Sequence, residues 1–218
     1  MNILVIGNEI SKAECIQKFG EKHTCEFAGS PAEAIPKIER AEVAFDFLSA
    51  SNADGLKIYE QHALPVFLDT TFTTLSGLVR HVKAKATFIG FCGLPTFINR
   101  ELLEVCLLNE RDKSVLEEVC KKLDMKYGLV ADQAGFVTPR IICAIINEAY
   151  YTAEEGTASR ADIDLAMKLG TNYPFGPFEW AQRMGIENVV QLLLKVQQAT
   201  QDERYRVCDL LKSEIRQP

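Results

Sequence analysis

Short apolar runs alternate with amphipathic stretches up to about residue 131, and this alternation limits the possible folds more than any other feature of the sequence. The segment 112–124 places its apolar residues at helical spacing, and SPAE (30–33) has the form of a capping box with Pro31 at the first helical position. Strands alternating with helices predict an α/β fold with a doubly wound parallel sheet. The predicted strands are NILVIG (2–7), TCEFA (24–28), EVAFDFL (42–48), PVFLD (65–69), ATFIGF (86–91), LLEVCLL (102–108) and KYGLVA (126–131).

The pattern after Asp132 contains helices alone, so we predict a sheet domain over 1–131 and an all-α domain over 132–218. The segment 139–156 is apolar nearly all round, which predicts a helix buried on most sides. Helices this apolar need more partners than a short domain supplies, which predicts a homodimer through them; packing on each other and on the sheet is the alternative. Further helices are predicted from SRAD (159–162) with an end at Gly170, over 176–185 between Pro177 and Gly185, over 187–196, and after the cap TQDE (200–203).

Composition and charge exclude several classes of protein. The 218 residues carry a net charge of −6 with no basic stripe, which argues against a nucleic-acid partner. No segment approaches the ~20 apolar residues of a membrane span, so no membrane partner is expected. The seven cysteines are scattered without a CxxC pair, which predicts reduced, buried thiols, no metal site and a cytoplasmic location.

The first strand runs into a turn that is typical of a Rossmann-like dinucleotide site but carries only one of its glycines. Such a site needs glycines for a tight turn, for close approach of the pyrophosphate and for helix packing. Gly7 remains, whereas Glu9 and Lys12 occupy the other two places. Asn8 is typical of a helix N-cap, and Glu9 adds a negative charge that favours the helix dipole but repels a pyrophosphate. No acid follows the second strand, where one would hold the ribose.

The segment 132–189 resembles the C-terminal domain of the 3-hydroxyacyl-CoA dehydrogenase family. The resemblance rests on a set of short motifs rather than on one, and FIGF…LLEV (88–91, 102–105) is similar to the strand pair that carries the family's active site. It implies a Rossmann domain that binds NAD, a helical domain that dimerises, and oxidation of 3-hydroxyacyl-CoA substrates in fatty-acid metabolism. The motifs are Gly135–Val137, Asn147–Ala149, Glu154–Gly156, Asp164–Met167 and Tyr173–Glu179.

The same resemblance assigns catalytic positions, and most of them are substituted. Cys92 stands where the family has its His base, and Glu104 stands where the Glu orients that base. A thiol cannot become cationic, so Glu104 loses the task of stabilising an imidazolium; Cys92 is read as a neutral filler, with a reactive thiol as the alternative. Pro139 replaces an Asn that holds substrate, and Thr73 or Thr74 keeps a hydroxyl of the Ser/Asn-rich stretch while Thr71 stands at an Asn position.

Three hypotheses for function follow from these residues. The first is a 3-hydroxyacyl-CoA dehydrogenase-like protein that is catalytically impaired or inactive (a pseudoenzyme) but still binds an acyl-CoA or another partner. The second is an active NAD-dependent oxidoreductase that uses Cys92 or a water for proton transfer. The third is a partner-binding subunit that acts through its helical surface. Binding of NAD separates the second hypothesis from the others, and saturable binding of an acyl-CoA separates the first from the third.

Overall fold

The chain divides into two compact units, Met1–Phe136 and Val137–Pro218, in a computed structural model that describes residues 1–48 and 53–215. The sequence pattern predicted a boundary after residue 131, and the compact units divide after Phe136. The carboxylate of Asp132 accepts hydrogen bonds from the amides of Leu75 (2.6 Å) and Ser76 (2.8 Å), which holds this residue in the first unit. No helix over the described ranges is long and apolar enough to cross a membrane.

The first unit is built on a seven-stranded sheet in the order β2-β1-β3-β4-β5-β6-β7. The pairings are parallel except for that of β5 with β6, so β6 and β7 run opposite to the other five strands. This confirms the doubly wound, mostly parallel α/β sheet. The chain goes to one side of β1 to form β2 and to the other side to form β3, so the strand order reverses between β1 and β3. The strands are Asn2–Ile6 (β1), Thr24–Ala28 (β2), Val43–Asp46 (β3), Pro65–Asp69 (β4), Thr87–Phe91 (β5), Leu102–Cys106 (β6) and Lys126–Leu129 (β7).

Helices and aromatic side chains cover the sheet of the first unit. Helix α1 contributes Cys15 and Phe19 to the core, where the Phe19 ring lies 5.2 Å from that of Phe45. Phe45 stacks on Phe67 at 4.6 Å, so neighbouring strands β3 and β4 share one aromatic layer. The helices of this unit are Glu9–Phe19 (α1), Pro31–Ile38 (α2), Leu75–Leu78 (α3) and Lys113–Leu123 (α4), with 3₁₀ segments at Ala53–Tyr59 and Glu110–Asp112.

Several predicted strands end earlier than their apolar runs. The run 42–48 forms a strand only over Val43–Asp46, because the Asp46 carboxylate accepts the Leu48 amide at 2.9 Å and turns the chain. Strand β6 pairs with β5 through only two residue pairs, and the strand is over before Leu108. An apolar run therefore predicted each strand but overestimated the length of these two.

The second unit contains only helices among the residues that the structure describes, as predicted. Two helix boundaries were predicted wrongly. Gly170 lies inside α6, which ends instead at Asn172 in the left-handed conformation (φ 56°). TQDE does not open an α-helix, because the Asp202 side chain caps a 3₁₀ turn over Glu203–Tyr205. The helices are Thr138–Glu154 (α5), Arg160–Thr171 (α6), Pro177–Met184 (α7), Ile186–Thr200 (α8) and Asp209–Ile215 (α9).

Buried polar side chains fix the connections between these helices. Asn147 of α5 is 4% exposed; its amide donates to the Arg206 carbonyl and accepts from the Cys208 amide, both at 2.9 Å. Asp164 of α6 accepts hydrogen bonds from the amides of Phe178 (2.8 Å) and Glu179 (3.2 Å), which caps the start of α7. Asn147 therefore ties the connection between α8 and α9 to α5, and Asp164 ties α7 to α6.

Candidate functional site

The carboxyl edge of the parallel strands is where open α/β sheets bind ligands, at the point where the strand order reverses. In this chain that point lies between β1 and β3. The residues at the carboxyl ends are Gly7 after β1, Asp46 at the end of β3, Asp69 at the end of β4 and Cys92 after β5. Two buried acids and a buried thiol therefore line one edge of the sheet.

The turn between β1 and α1 satisfies its own hydrogen-bond donors. Asn8 caps α1, as predicted, and its side-chain oxygen accepts the amides of Ile10 and Ser11, both at 3.0 Å. A Cβ at Gly7 would lie 2.1 Å from the Ser11 hydroxyl, so Gly7 is needed for packing of the helix against the strand. A pyrophosphate at a helix N-terminus uses amides of this kind. Here a side chain of the protein already bonds two of them.

Charged residues complete the first turn of α1. Glu9 pairs with Lys12 at 3.2 Å, and the Glu9 side chain is 88% exposed. The two positions at which a dinucleotide site would have its further glycines thus hold an ion pair on the helix surface. The amides at this turn and the charge of Glu9 do not fit a dinucleotide pyrophosphate.

The end of β2 also lacks the acid that would hold a ribose. Glu33 of α2 accepts the Gly29 amide at 2.9 Å, while Ser30 accepts the Glu33 amide at 3.3 Å, which confirms the predicted capping interaction. Glu26 lies within the strand and pairs with Arg40 at 3.1 Å. Both nearby carboxylates therefore have partners of their own.

Asp69 is the centre of a hydrogen-bonded group at the strand ends. Its Oδ1 accepts hydrogen bonds from the Thr71 amide (3.0 Å), the Thr71 hydroxyl (2.5 Å) and the Gly93 amide (3.0 Å). A Cβ at residue 93 would lie 2.6 Å from Asp69 Oδ2, so only a glycine lets the backbone come this close. Burial raises the pKa of Asp69 despite these hydrogen bonds, and the Asp46 charge raises it further.

Cys92 lies against this group and is 2% exposed. Its sulfur is 3.6 Å from the Thr71 hydroxyl. Burial raises the pKa of the thiol well above its usual range, and the charges of Asp69 and Glu104 raise it further. This environment therefore favours the neutral thiol over the thiolate.

Glu104 and Arg100 lie near Cys92. Glu104 is a half-buried residue of β6, and its negative charge raises the pKa of Arg100, although burial of the guanidinium lowers that pKa overall. The Arg100 guanidinium stacks over the Phe97 ring at 4.2 Å. The structure thus brings Cys92 and Glu104 to one region of the first unit, as the predicted strand pair requires.

The threonines of the stretch 69–74 differ in what they contact. Thr74 caps α3 by accepting the Gly77 amide at 3.1 Å. Thr73 is half-buried, and its amide donates to the Thr70 carbonyl at 3.3 Å. Thr71 contacts both Asp69 and Cys92, which makes it the threonine of this stretch that belongs to the buried group. Pro139 is the second residue of α5 in the other unit and is buried.

Neither buried acid at the strand ends was predicted from the sequence. Asp46 is 1% exposed, and its Oδ2 accepts the Tyr59 hydroxyl at 2.9 Å, whose pKa is raised by burial and by the Asp46 charge. Asp69 is 8% exposed. The available signal was the position of each acid at the end of an apolar strand. Residues 1–48 and 53–215 contain no group of three His, Cys, Asp or Glu side chains that could hold a metal.

The helical unit matches a protein-family model. Residues 135–217 match the model described as 3-hydroxyacyl-CoA dehydrogenase, C-terminal domain. A 3-hydroxybutyryl-CoA dehydrogenase of Bradyrhizobium diazoefficiens is 31% identical over 146 residues, which is 66% of this chain and 50% of that protein. A 3-hydroxyadipyl-CoA dehydrogenase of Escherichia coli is 43% identical over 83 residues, or 38% of this chain and 18% of that protein. These matches span half or less of each relative's length.

Solved structures share the fold along nearly the whole chain. An (S)-3-hydroxybutyryl-CoA dehydrogenase of Ralstonia eutropha superposes with a TM-score of 0.73 at 18% identity, covering 99% of this chain and 93% of that one. A second protein, from M. tuberculosis, gives a TM-score of 0.76 at 14% identity, covering 98% and 93%. At these identities the superpositions establish the fold alone.

Proposed function

This chain belongs to the 3-hydroxyacyl-CoA dehydrogenase family, and on that premise we propose that it is a non-catalytic member that neither binds NAD nor transfers a hydride. The observation that carries this proposal is the occupied N-terminus of α1. Asn8 bonds the Ile10 and Ser11 amides, and Glu9 adds a carboxylate beside them. A pyrophosphate would have to displace the cap and approach a like charge.

The position of the base supports the same proposal. Oxidation of a secondary alcohol needs a group that takes the hydroxyl proton, and loss of such a base costs roughly 10²–10⁴ in rate. Cys92 is buried, and its raised pKa keeps the thiol protonated. Binding of the cofactor and removal of the hydroxyl proton are therefore disfavoured by two independent features of the chain.

The retained role that we propose is binding of a CoA thioester. The relatives described above are named for 3-hydroxybutyryl-CoA and 3-hydroxyadipyl-CoA substrates, which makes that chemistry the first to test. We also propose a cytoplasmic location, which is supported by the seven unbridged thiols, because a reducing compartment keeps thiols in this form.

Calorimetric titration with NADH tests the proposal directly. We expect no saturable heat from the native chain and no reduction of acetoacetyl-CoA. A variant with Glu9→Gly, Lys12→Gly and Cys92→His carries the family's residue types at these positions, and its matched control carries Glu9→Ala, Lys12→Ala and Cys92→His, which remove the same charges without supplying glycines. Stoichiometric binding of NADH by the native chain would contradict the proposal and favour an active oxidoreductase.

Titration with acetoacetyl-CoA separates the remaining roles. Saturable binding without turnover supports a non-catalytic acyl-CoA-binding protein. Absence of binding to both ligands contradicts the CoA-thioester role and leaves the helical unit as the functional part of the chain.

We also propose that the chain forms a homodimer through its helical unit. An apolar groove of about 520 Å³ runs between α5 and α6, lined by Ile145, Ile163 and Met167 among others. Leu165 and Leu169, one turn apart on α6, are 52% and 78% exposed. Sedimentation should show a dimer that Leu169→Glu dissociates, whereas Leu108→Glu in the sheet unit should leave it intact. A monomeric native chain at micromolar concentration would contradict this proposal.

A further inference from the structure

A polar pocket of about 360 Å³ lies in the first unit, away from the carboxyl ends of β1, β3 and β4. It is formed where the end of α1, the residues before β6 and the connection from α4 to β7 meet. Its volume is at the lower end of the range for small-molecule sites, but its lining is more polar than that of most such sites. A small, charged ligand would therefore fit it better than an apolar one.

Three cations and two carboxylates line this pocket. Both carboxylates are already paired: Glu101 pairs with Lys126, and Asp124 pairs with Lys22 at 2.6 Å. The cations that remain are Lys18 and Arg100. Neither takes part in an ion pair over the ranges 1–48 and 53–215.

Both remaining cations are partly buried, and burial lowers the pKa of each. Removing a positive charge from water is unfavourable, and for Arg100 the negative charge of Glu104 offsets this only in part, because burial still lowers its pKa overall. The Lys18 ammonium donates one hydrogen bond, to the Arg100 carbonyl at 2.7 Å, which leaves two of its protons for a ligand. The Phe97 ring, 4.2 Å from the Arg100 guanidinium, holds the guanidinium plane in place. Two ordered cations thus share a pocket whose acids are used elsewhere.

Asn99 adds a polar side chain whose oxygen accepts no hydrogen bond in the described part of the chain. It lines the same pocket, and its Nδ2 donates to the Gln17 side chain at 3.1 Å. Its Oδ1 is buried and has no hydrogen-bond partner in the described part of the chain. A buried acceptor of this kind calls for a donor. The ligand should therefore carry negative charge for Lys18 and Arg100 and also a proton for Asn99.

We propose that this pocket binds a phosphate group through Lys18, Arg100 and Asn99. A hydrogen phosphate or a phosphate monoester satisfies both requirements, since it accepts charge-assisted hydrogen bonds and, when singly protonated, donates one. Sulfate has the charge but no proton to donate at neutral pH. This site is independent of the non-catalytic role proposed above, because it uses none of the residues at the N-terminus of α1.

Calorimetry with inorganic phosphate at constant ionic strength tests the site, with ribose 5-phosphate as a second probe. We expect saturable binding that Arg100→Gln weakens roughly tenfold or more, because a hydrogen bond between two charged groups is stronger than one made by a neutral amide. Arg100→Gln leaves the main-chain acceptor of Lys18 in place. Lys18→Met should weaken binding comparably, Lys18→Arg should restore part of it, and the matched control Lys126→Met should change it by less than about threefold, since exposed pairs contribute little.

The two probes distinguish a free ion from a phosphorylated metabolite, and binding of either one supports the site. The proposal is overturned if neither probe binds, if sulfate binds as tightly as phosphate, or if Arg100→Gln and Lys126→Met weaken binding equally. Circular dichroism of each variant shows whether a loss of binding reflects unfolding.

Discussion

The helical unit and the carboxyl edge of the sheet differ in what their polar residues do. In the helical unit, Asn147 and Asp164 hold helix connections through backbone amides and carbonyls. At the sheet edge, Asn8 and Asp69 make the same kind of contact at positions where a dehydrogenase would bind its ligands. The motifs that identify this family in the helical unit are therefore largely structural, and their presence says little about catalysis.

The largest expected effect is that of Asn147→Ala in the helical unit. The substitution leaves the Arg206 carbonyl and the Cys208 amide without their buried partner, and each unsatisfied group costs roughly 1–3 kcal/mol. We expect the free energy of unfolding to fall by about 2–4 kcal/mol. Trp180 is the single tryptophan and lies in this unit, so its fluorescence in urea reports the change. Asn188→Ala, which removes one bond to the Met184 carbonyl, should cost less than half as much.

Asp164→Ala should have the next largest effect. It removes the cap of α7, and loss of an N-cap costs about 0.5–2 kcal/mol. Asp164→Asn keeps an acceptor at the cap and serves as the matched control in the same fluorescence assay. Equal losses from the two variants would mean that the charge, and not the cap, is what Asp164 supplies.

Asn8→Ala removes the corresponding helix cap at the sheet edge. The loss of this cap should cost about 1 kcal/mol and should speed hydrogen exchange at the Ile10 and Ser11 amides. Glu9→Gln, which removes an exposed charge but keeps the cap, should change stability by less than about 0.5 kcal/mol. If Asn8→Ala instead creates NADH binding without loss of stability, the cap was only blocking a functional site.

The smallest expected effect is that Asp69→Asn changes how the free energy of unfolding depends on pH. Burial raises the folded-state pKa of Asp69 above its unfolded value near 3.9, so ionisation of this group opposes folding. The protonated Asp69 carboxyl makes its full contribution to stability below about pH 4, and this contribution is lost as the pH rises through the folded-state pKa. The variant should therefore lose less stability than the native chain as the pH rises above about 4 in urea titrations.

The matched control for this experiment is Asp124→Asn. Asp124 is exposed, and its pKa is lowered by Lys22, so its neutralisation should produce a small change of the opposite sign over the acid range. A pH slope that Asp69→Asn leaves unchanged would mean that another group dominates the titration.

Local patterns in the sequence predicted most of the fold. Asn8, Ser30 and Gly185 mark helix ends through their own backbone or side-chain chemistry, and the structure confirms all three. Gly170 misled because a glycine can remain inside a helix when another residue, here Asn172, adopts the left-handed conformation that ends it.

The candidate site was harder to predict from the sequence than the fold, because its chemistry depends on burial. An acid such as Asp69 at a strand end is usually solvated, and hydrogen bonds from the Gly93 amide and from the amide and hydroxyl of Thr71 make its burial tolerable. Residues 71 and 93 are distant in sequence, so no local pattern joins them. No local pattern marks the pocket of Lys18 and Arg100 either, because its residues come from separate segments of the chain.

The order of strands leaves β2 at the outer edge of the sheet, which bears on self-association. An edge strand offers unpaired amides and carbonyls to any other extended chain, and such edges promote aggregation unless they are shielded. Here the Lys37 ammonium binds the Phe27 carbonyl, and the ion pair of Glu26 with Arg40 places charge on the same strand. These contacts oppose extension of the sheet by a neighbouring molecule, because the bonded Phe27 carbonyl is no longer open to another strand and the charges would have to be covered.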